Sequence, residues 1–103
     1  MPFGLPEHAV KRILSVFSAH PEIEEVILYG SRAKGNYTPG SDIDLVCRGQ
    51  NLTRSHLNRI RHELDDLLLP YSIDVSRFED ISNPDLLDHI DRVGIALHQR
   101  RDE

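Results

Sequence analysis

The chain has 103 residues, of which 39% are apolar, and a formal net charge of −5. This length predicts a single domain, residues 1–103, without repeats or linkers. The acidic balance argues against direct binding of nucleic acid, which needs a basic surface to neutralise phosphates. A nucleotide ligand remains possible, because a bound metal ion can supply positive charge.

Cysteine content and hydropathy indicate the compartment. Cys47 is the only cysteine, which excludes an intrachain disulfide and favours a reducing environment. The N-terminal segment lacks the apolar stretch of a signal peptide, and no segment of the sequence is long and apolar enough to cross a bilayer. We therefore expect a soluble cytoplasmic protein that does not interact with membranes.

The first half of the chain reads as helix, strand, turn and strand. Apolar residues at helical spacing predict an amphipathic helix over about residues 6–19. The apolar run EEVILYG predicts a buried strand that ends at Gly30. The next residues, SRAKG, are compatible with one helical turn before the loop NYTPG, and SDIDLVC at residues 41–47 predicts a second strand.

The second half predicts two further helices and two further strands. Apolar spacing indicates a helix over residues 53–68 that is ended by Pro70. YSIDVSR predicts the third strand. Asn83 as N-cap and Pro84 in the first turn predict a helix that ends at Gly94, followed by the short strand IALH. This alternation predicts an α/β (α+β) fold in which a small sheet is covered by helices.

Three aspartates on the predicted strands carry the chemistry. Asp42 and Asp44 are two residues apart on one strand, so both carboxylates point to the same side, whereas Ile43 and Leu45 face the other. Like charges this close are unfavourable unless a cation joins them, and oxygen ligands suit Mg²⁺ or Mn²⁺. Asp74 lies on the third strand. If the two strands are neighbours, the three acids could hold two metal ions for an in-line nucleotidyl displacement.

The turn before these acids is a candidate phosphate site. A strand that runs into Gly30 and Ser31 presents backbone N–H groups and a hydroxyl together, an arrangement that can hold nucleotide phosphates. Each pattern alone is weak, since Gly-Ser is usually only a turn and Asp-x-Asp is more often a solvated strand face. Gly-Ser, Asp-x-Asp ten residues later and a further strand aspartate together favour catalysis.

The stretch GSRAKGNYTPGSDIDL resembles the signature of the DNA polymerase β-type nucleotidyltransferase superfamily. More narrowly, the chain resembles the minimal nucleotidyltransferases (MNT), the small antitoxin partners of HEPN-domain toxins. The resemblance extends over nearly the whole chain and implies a short mixed β-sheet flanked by helices. It also implies roles for individual residues, which are Gly30, Ser31 and Arg32 for binding the nucleotide, and Asp42, Asp44 and Asp74 for catalysis and metal binding.

The resemblance implies transfer of AMP from ATP to a hydroxyl with two Mg²⁺ ions, and a tyrosine of a HEPN toxin as acceptor. The short chain is not expected to include a second domain that would hold a small acceptor. Two alternatives stay open. The protein could neutralise a toxin by binding alone, or it could modify a small molecule in the manner of antibiotic nucleotidyltransferases.

The remaining polar residues give no clear functional signal. The six histidines show no ligand spacing and are expected to be ordinary surface or partly buried residues. Arg54 belongs to a polar helix face that is either solvated or a partner surface. Tyr37 lies in the loop between the two halves of the motif, where it is either a loop aromatic or a ligand contact. Lys34 is a further candidate for phosphate binding.

Overall fold

The structure, a computed structural model, describes residues 2–100. These residues form a four-stranded sheet with four α-helices, and two short 3₁₀ turns at Pro2–Gly4 and Phe78–Asp80. The strands are β1 (Glu25–Tyr29), β2 (Ile43–Arg48), β3 (Ile73–Arg77) and β4 (Ile95–Gln99). The helices are α1 (Glu7–Ser18), α2 (Gly30–Lys34), α3 (Arg54–Asp65) and α4 (Pro84–Val93).

The sheet is mixed, with the strand order β3-β2-β1-β4. β1 pairs antiparallel with β2 and with β4, whereas β2 and β3 are parallel. The parallel pair is joined through α3, as a parallel connection needs a crossover segment long enough to return the chain to the same end of the sheet. The predicted fold, a small mixed sheet flanked by helices, is confirmed.

One face of the sheet is closed by α1 and α3. The alternation predicted for the second strand holds, because Ile43, Leu45 and Cys47 are buried on this face. Phe17 from α1 and Ile60 from α3 are fully buried against them. This is the main hydrophobic core, and it fixes the strands whose opposite face carries the aspartates.

The other face is covered by α4 and is only partly apolar. Tyr29, Val46 and Ile90 form a second, smaller buried cluster there. Asn83 accepts hydrogen bonds from two backbone N–H groups of the first turn of α4, which starts this helix where the sequence predicts it. No helix within residues 2–100 is long and apolar enough to cross a membrane.

Two predicted boundaries are wrong. The second strand begins at Ile43 and not at Ser41, so Asp42 precedes the strand. The helix predicted over residues 53–68 ends at Asp65, because the chain turns sharply after it and Leu68 takes a left-handed φ of 55°. Apolar spacing continued through this turn and made the helix look longer than it is.

Candidate active site

The sheet register places three polar side chains in one row. Tyr29 on β1 pairs with Asp44 on β2, and Asp44 pairs with Asp74 on β3. Paired residues on neighbouring strands share a face of the sheet. The two strands that carry the aspartates are therefore neighbours, as the sequence argument required, and Asp44 and Asp74 lie side by side on the face that α4 only partly covers.

Asp42 joins this row from the loop before β2. Its side chain is exposed, and the strand starts with the Ile43 N–H donating to the Ser72 carbonyl at 2.8 Å. The charge of Asp42 nevertheless acts on Asp44, whose pKa it helps to raise. Sequence spacing thus predicted the proximity of the pair, although only Asp44 is held in the sheet.

The electrostatics of Asp44 are those of a crowded acid. Partial burial raises its pKa most, and the negative charges of Asp74 and Asp42 raise it further. Burial raises the pKa of Tyr29, and the negative charges of Asp74 and Asp44 raise it further. The tyrosine hydroxyl therefore stays protonated beside a centre of negative charge.

The donor set at this centre suits a hard divalent cation, because all three side chains offer carboxylate oxygen. Within residues 2–100, however, no group of three or more His, Cys, Asp or Glu side chains is already arranged to hold a metal ion. The acids repel one another, and Mg²⁺ commonly takes much of its coordination shell from water and substrate phosphates. The metal-binding role of Asp42, Asp44 and Asp74 stays a prediction.

Gly30 brings the two halves of the motif into contact. It has a φ of 74°, which disfavours any residue with a side chain, and it starts α2 directly after Tyr29. A Cβ atom added to Gly30 would overlap the Oδ2 atom of Asp44. The Asp44 carboxylate thus lies against the backbone of the Gly-Ser corner, and only glycine leaves room for it. Ser31 follows with a half-buried side chain.

Arg32 is buried under the loop that follows the Gly-Ser corner, and its role in binding the nucleotide stays a prediction. Its side chain is 2% exposed and donates hydrogen bonds to the Phe3 carbonyl at 2.8 Å and to the Ser41 carbonyl at 2.9 Å. The guanidinium also lies 5.5 Å from the centre of the Tyr37 ring and 5.4 Å from that of the Tyr71 ring. These contacts satisfy a buried cation without an acidic partner. Arg32 therefore fastens the loop that connects Ser31 to Asp42.

The other uncertain residues can also be placed. Tyr37 packs on Arg32 and is a structural part of the loop. Lys34 is exposed at the end of α2. Arg54 pairs with Asp80 at 3.3 Å on the surface.

His89 is the residue that sequence reasoning missed. It projects from α4 to the corner, where its Nε2 atom accepts a hydrogen bond from the Gly30 N–H at 3.0 Å. Its ring also meets the Tyr29 ring edge-on, with centroids 6.2 Å apart. A signal was present, since His89 follows Leu86 by three residues and so shares the inward face of α4.

Comparisons with known proteins agree with the fold. Residues 11–103 match the protein family described as Polymerase beta, Nucleotidyltransferase. No curated protein matches the sequence. Among solved structures, a chain of a toxin–antitoxin complex with AMP-PNP aligns with a TM-score of 0.72 at 19% identity, over 89% of this chain and 74% of that chain.

Two further solved structures share the fold. One is a tri-AMPylated Shewanella oneidensis HEPN toxin in complex with an MNT antitoxin, with a TM-score of 0.66, 17% identity, and 91% and 72% of the two chains covered. The other is the toxin–antitoxin MntA–HepT, with a TM-score of 0.67, 16% identity, and 92% and 74% covered. At these identities the likeness shows the fold.

Replacing Arg32 by alanine should destabilise the protein strongly. The change leaves the Phe3 and Ser41 carbonyls without their donor and opens a cavity between two tyrosine rings, at a cost of about 3 kcal/mol in the free energy of unfolding. Urea unfolding followed by circular dichroism measures this. The control is Lys34→Ala on the same short helix, which should change stability by less than about 0.5 kcal/mol. Normal stability of Arg32→Ala would show that the guanidinium does not fasten the loop.

Asp44→Asn should raise the melting temperature in metal-free buffer at neutral pH. The pKa of Asp44 is raised in the folded protein, so ionisation of this group opposes folding at every pH above that value. The cost vanishes as the pH falls below the unfolded-state pKa of about 4, and the difference between variant and wild type should vanish with it. Asp65→Asn, at the end of α3, is the control. A lower melting temperature for Asp44→Asn at neutral pH would contradict this account.

Proposed function

Because the chain belongs to the Polymerase beta nucleotidyltransferase family, we propose that it transfers AMP from ATP to a tyrosine of a HEPN toxin and thereby acts as an antitoxin. One observation carries the proposal: the Gly-Ser corner lies directly against Asp44, with Asp74 on the adjacent strand. A place for phosphates and a pair of carboxylates thus meet at one end of the sheet. Nucleotidyl transfer needs both.

The solved structures with the same fold support the nucleotide and the acceptor. One contains AMP-PNP, an analogue of ATP, in a toxin–antitoxin complex. Another contains a HEPN toxin that carries three AMP groups together with its MNT antitoxin. Donor, product and partner of the proposed reaction each occur beside a chain of this fold.

Mg²⁺ fits the proposed site by the chemistry of its donors. The residues that would hold the metal are Asp42, Asp44 and Asp74; burial raises the pKa of Asp44 most, and repulsion from the other two carboxylates raises it further. When bound, the ion would neutralise the charge of the phosphates and of the carboxylates. Without such a cation, the three carboxylates would repel the phosphates of ATP.

The side chains of the site then have distinct tasks. The Ser31 hydroxyl and the amides that follow it in α2 bind phosphate oxygens. The hydroxyl oxygen of the acceptor forms a bond to the α-phosphorus, the bond from this phosphorus to the bridging oxygen breaks, and pyrophosphate leaves. Asp74 is exposed at the row of carboxylates and takes the proton of the attacking hydroxyl.

The position of Asp74 suits a macromolecular acceptor. β3 is an edge strand, and both Asp74 and Asp42 are exposed. A tyrosine on a partner protein can therefore approach along the open edge of the sheet. The reacting atoms must come within about 3–3.5 Å of each other, which a partner segment docked on this edge would achieve.

AMP should appear on a tyrosine of the HEPN toxin when the two proteins are incubated with Mg²⁺ and ATP. Mass spectrometry of the toxin measures the added AMP and locates it, and replacing that tyrosine by phenylalanine should abolish it. Asp44→Asn should abolish transfer because a ligand of the charge-neutralising ion is lost. Asp65→Asn, an acid exposed on the other side of the sheet, should transfer normally. Full neutralisation of the toxin by an Asp42→Asn, Asp44→Asn double variant, without AMP on the toxin, would favour inhibition by binding alone.

Asp74→Asn should reduce turnover more severely than Ser31→Ala. The first change removes the group that accepts the proton, an effect of about 10²–10⁴-fold on kcat. The second removes one hydrogen bond to phosphate and leaves the backbone donors of α2 in place, so a loss of about tenfold is expected. Initial rates of pyrophosphate release measure both. Equally small effects of the two changes would show that the site has been misplaced.

A further inference from the structure

We propose that His89 is a positioning residue that fixes the Gly30–Ser31 corner for phosphate binding. The inference rests on the proposed function, since it concerns how well the corner binds a nucleotide. His89 lies outside the motif, on α4, and is separated from Gly30 by 59 residues along the chain. It acts through the backbone of Gly30 and not on the reacting atoms.

The direction of the hydrogen bond defines the state of the imidazole. The Gly30 N–H is the donor at 3.0 Å, so the Nε2 atom of His89 must carry no proton. The ring is therefore neutral, with its proton on Nδ1, as long as this bond exists. The Gly30 amide is thereby occupied, and phosphate binding falls to the Ser31 hydroxyl and the amides after it.

The corner needs such a fastening because its first residue is glycine. Glycine has the most flexible backbone of all residues, and Gly30 has a φ of 74° that disfavours other residues. The Asp44 carboxylate also leaves no space for a Cβ atom at this position. The Asp44 carboxylate limits movement of Gly30 on one side, and His89 holds its amide. Two contacts from different elements thus define an orientation that the local sequence alone would leave loose.

α4 is anchored well enough to transmit this constraint. Ile90, next to His89, is buried against Tyr29 and Val46. The Gly94 N–H closes the helix on the Ile90 carbonyl at 2.8 Å, and a Cβ atom added to Gly94 would press on Ile27 of β1. The ring of His89 is further supported edge-on by Tyr29. The position of the imidazole is therefore fixed both by α4, which carries it, and by Tyr29 of the sheet, which it contacts.

A corner fixed before the ligand arrives binds it more tightly, because less ordering is left to occur on binding. His89→Ala should therefore raise KM for ATP and the Kd for Mg²⁺-AMP-PNP by about tenfold, the size of effect that losing one partly buried hydrogen bond produces. Because no proton is transferred to or from His89, kcat should change by less than about twofold.

The experiment compares three variants of the full chain. His89→Gln is the conservative variant, since its side-chain oxygen can accept the Gly30 N–H in place of Nε2, and it should restore most of the affinity. Arg92→Ala is the matched control on the same helix, where the side chain is 62% exposed and bonds only to Asp88. Isothermal titration with Mg²⁺-AMP-PNP gives the Kd, and thermal melting shows that each variant is folded.

The NMR signal of the Gly30 amide reports the hydrogen bond directly. Its proton should move upfield in His89→Ala and return towards the wild-type position in His89→Gln. Wild-type affinity in His89→Ala, tighter binding in that variant, or a folded His89→Gln that binds as weakly as His89→Ala would each overturn the inference. If the wild-type protein binds AMP-PNP but does not transfer AMP to the toxin, only the proposed function is contradicted. If it does not bind AMP-PNP at all, both the proposed function and the role of His89 are contradicted.

Discussion

The site depends on the close approach of the Asp44 carboxylate to the backbone of Gly30. Because this contact leaves no space for a Cβ atom, the corner must be glycine, and because Gly30 has a positive φ, the chain can leave β1 and enter α2 without a longer loop. The same approach places a carboxylate against the first residue of α2. Asp44, held by its strand, and the Gly30–Ser31 corner are thus brought together by one steric fit.

The contact between Asp44 and Gly30 requires that the loop between Ser31 and Asp42 return the chain to the start of β2. Arg32 ties this loop to the N-terminal turn by donating to the Ser41 carbonyl just before β2 and to the Phe3 carbonyl before α1. A lysine could not span both acceptors, since its single ammonium lacks the planar fork of the guanidinium. The motif arginine thus serves the site by shaping the loop that joins Ser31 to Asp42. On the other side, His89 adds a second fastening from an element that is distant in sequence.

The sequence allowed the order of elements to be predicted because periodicity is a local property. Alternation in SDIDLVC identified the buried and polar sides of β2, and the glycine and proline signals marked most element ends. What the sequence could not reveal was long-range. The burial of Arg32 depends on Phe3 and Tyr71, which lie far from it along the chain. The role of His89 depends on how α4 packs across the sheet. The sequence placed the start of β2 two residues too early, at Ser41 and not at Ile43, for a different reason. A polar residue beside a turn is equally compatible with a loop and with a strand.

The two faces of the sheet explain why such a short chain can offer a site at all. α1 and α3 close one face, where their side chains and those of the strands form the main core, so stability does not require the other face to be fully apolar. That face carries only α4 and a small cluster around Val46, and the end of it is left to acids that repel one another. Carboxylates in this position oppose folding unless a cation joins them. The core on the first face therefore supports a cluster of like charges on the second, and a bound cation would reduce their repulsion.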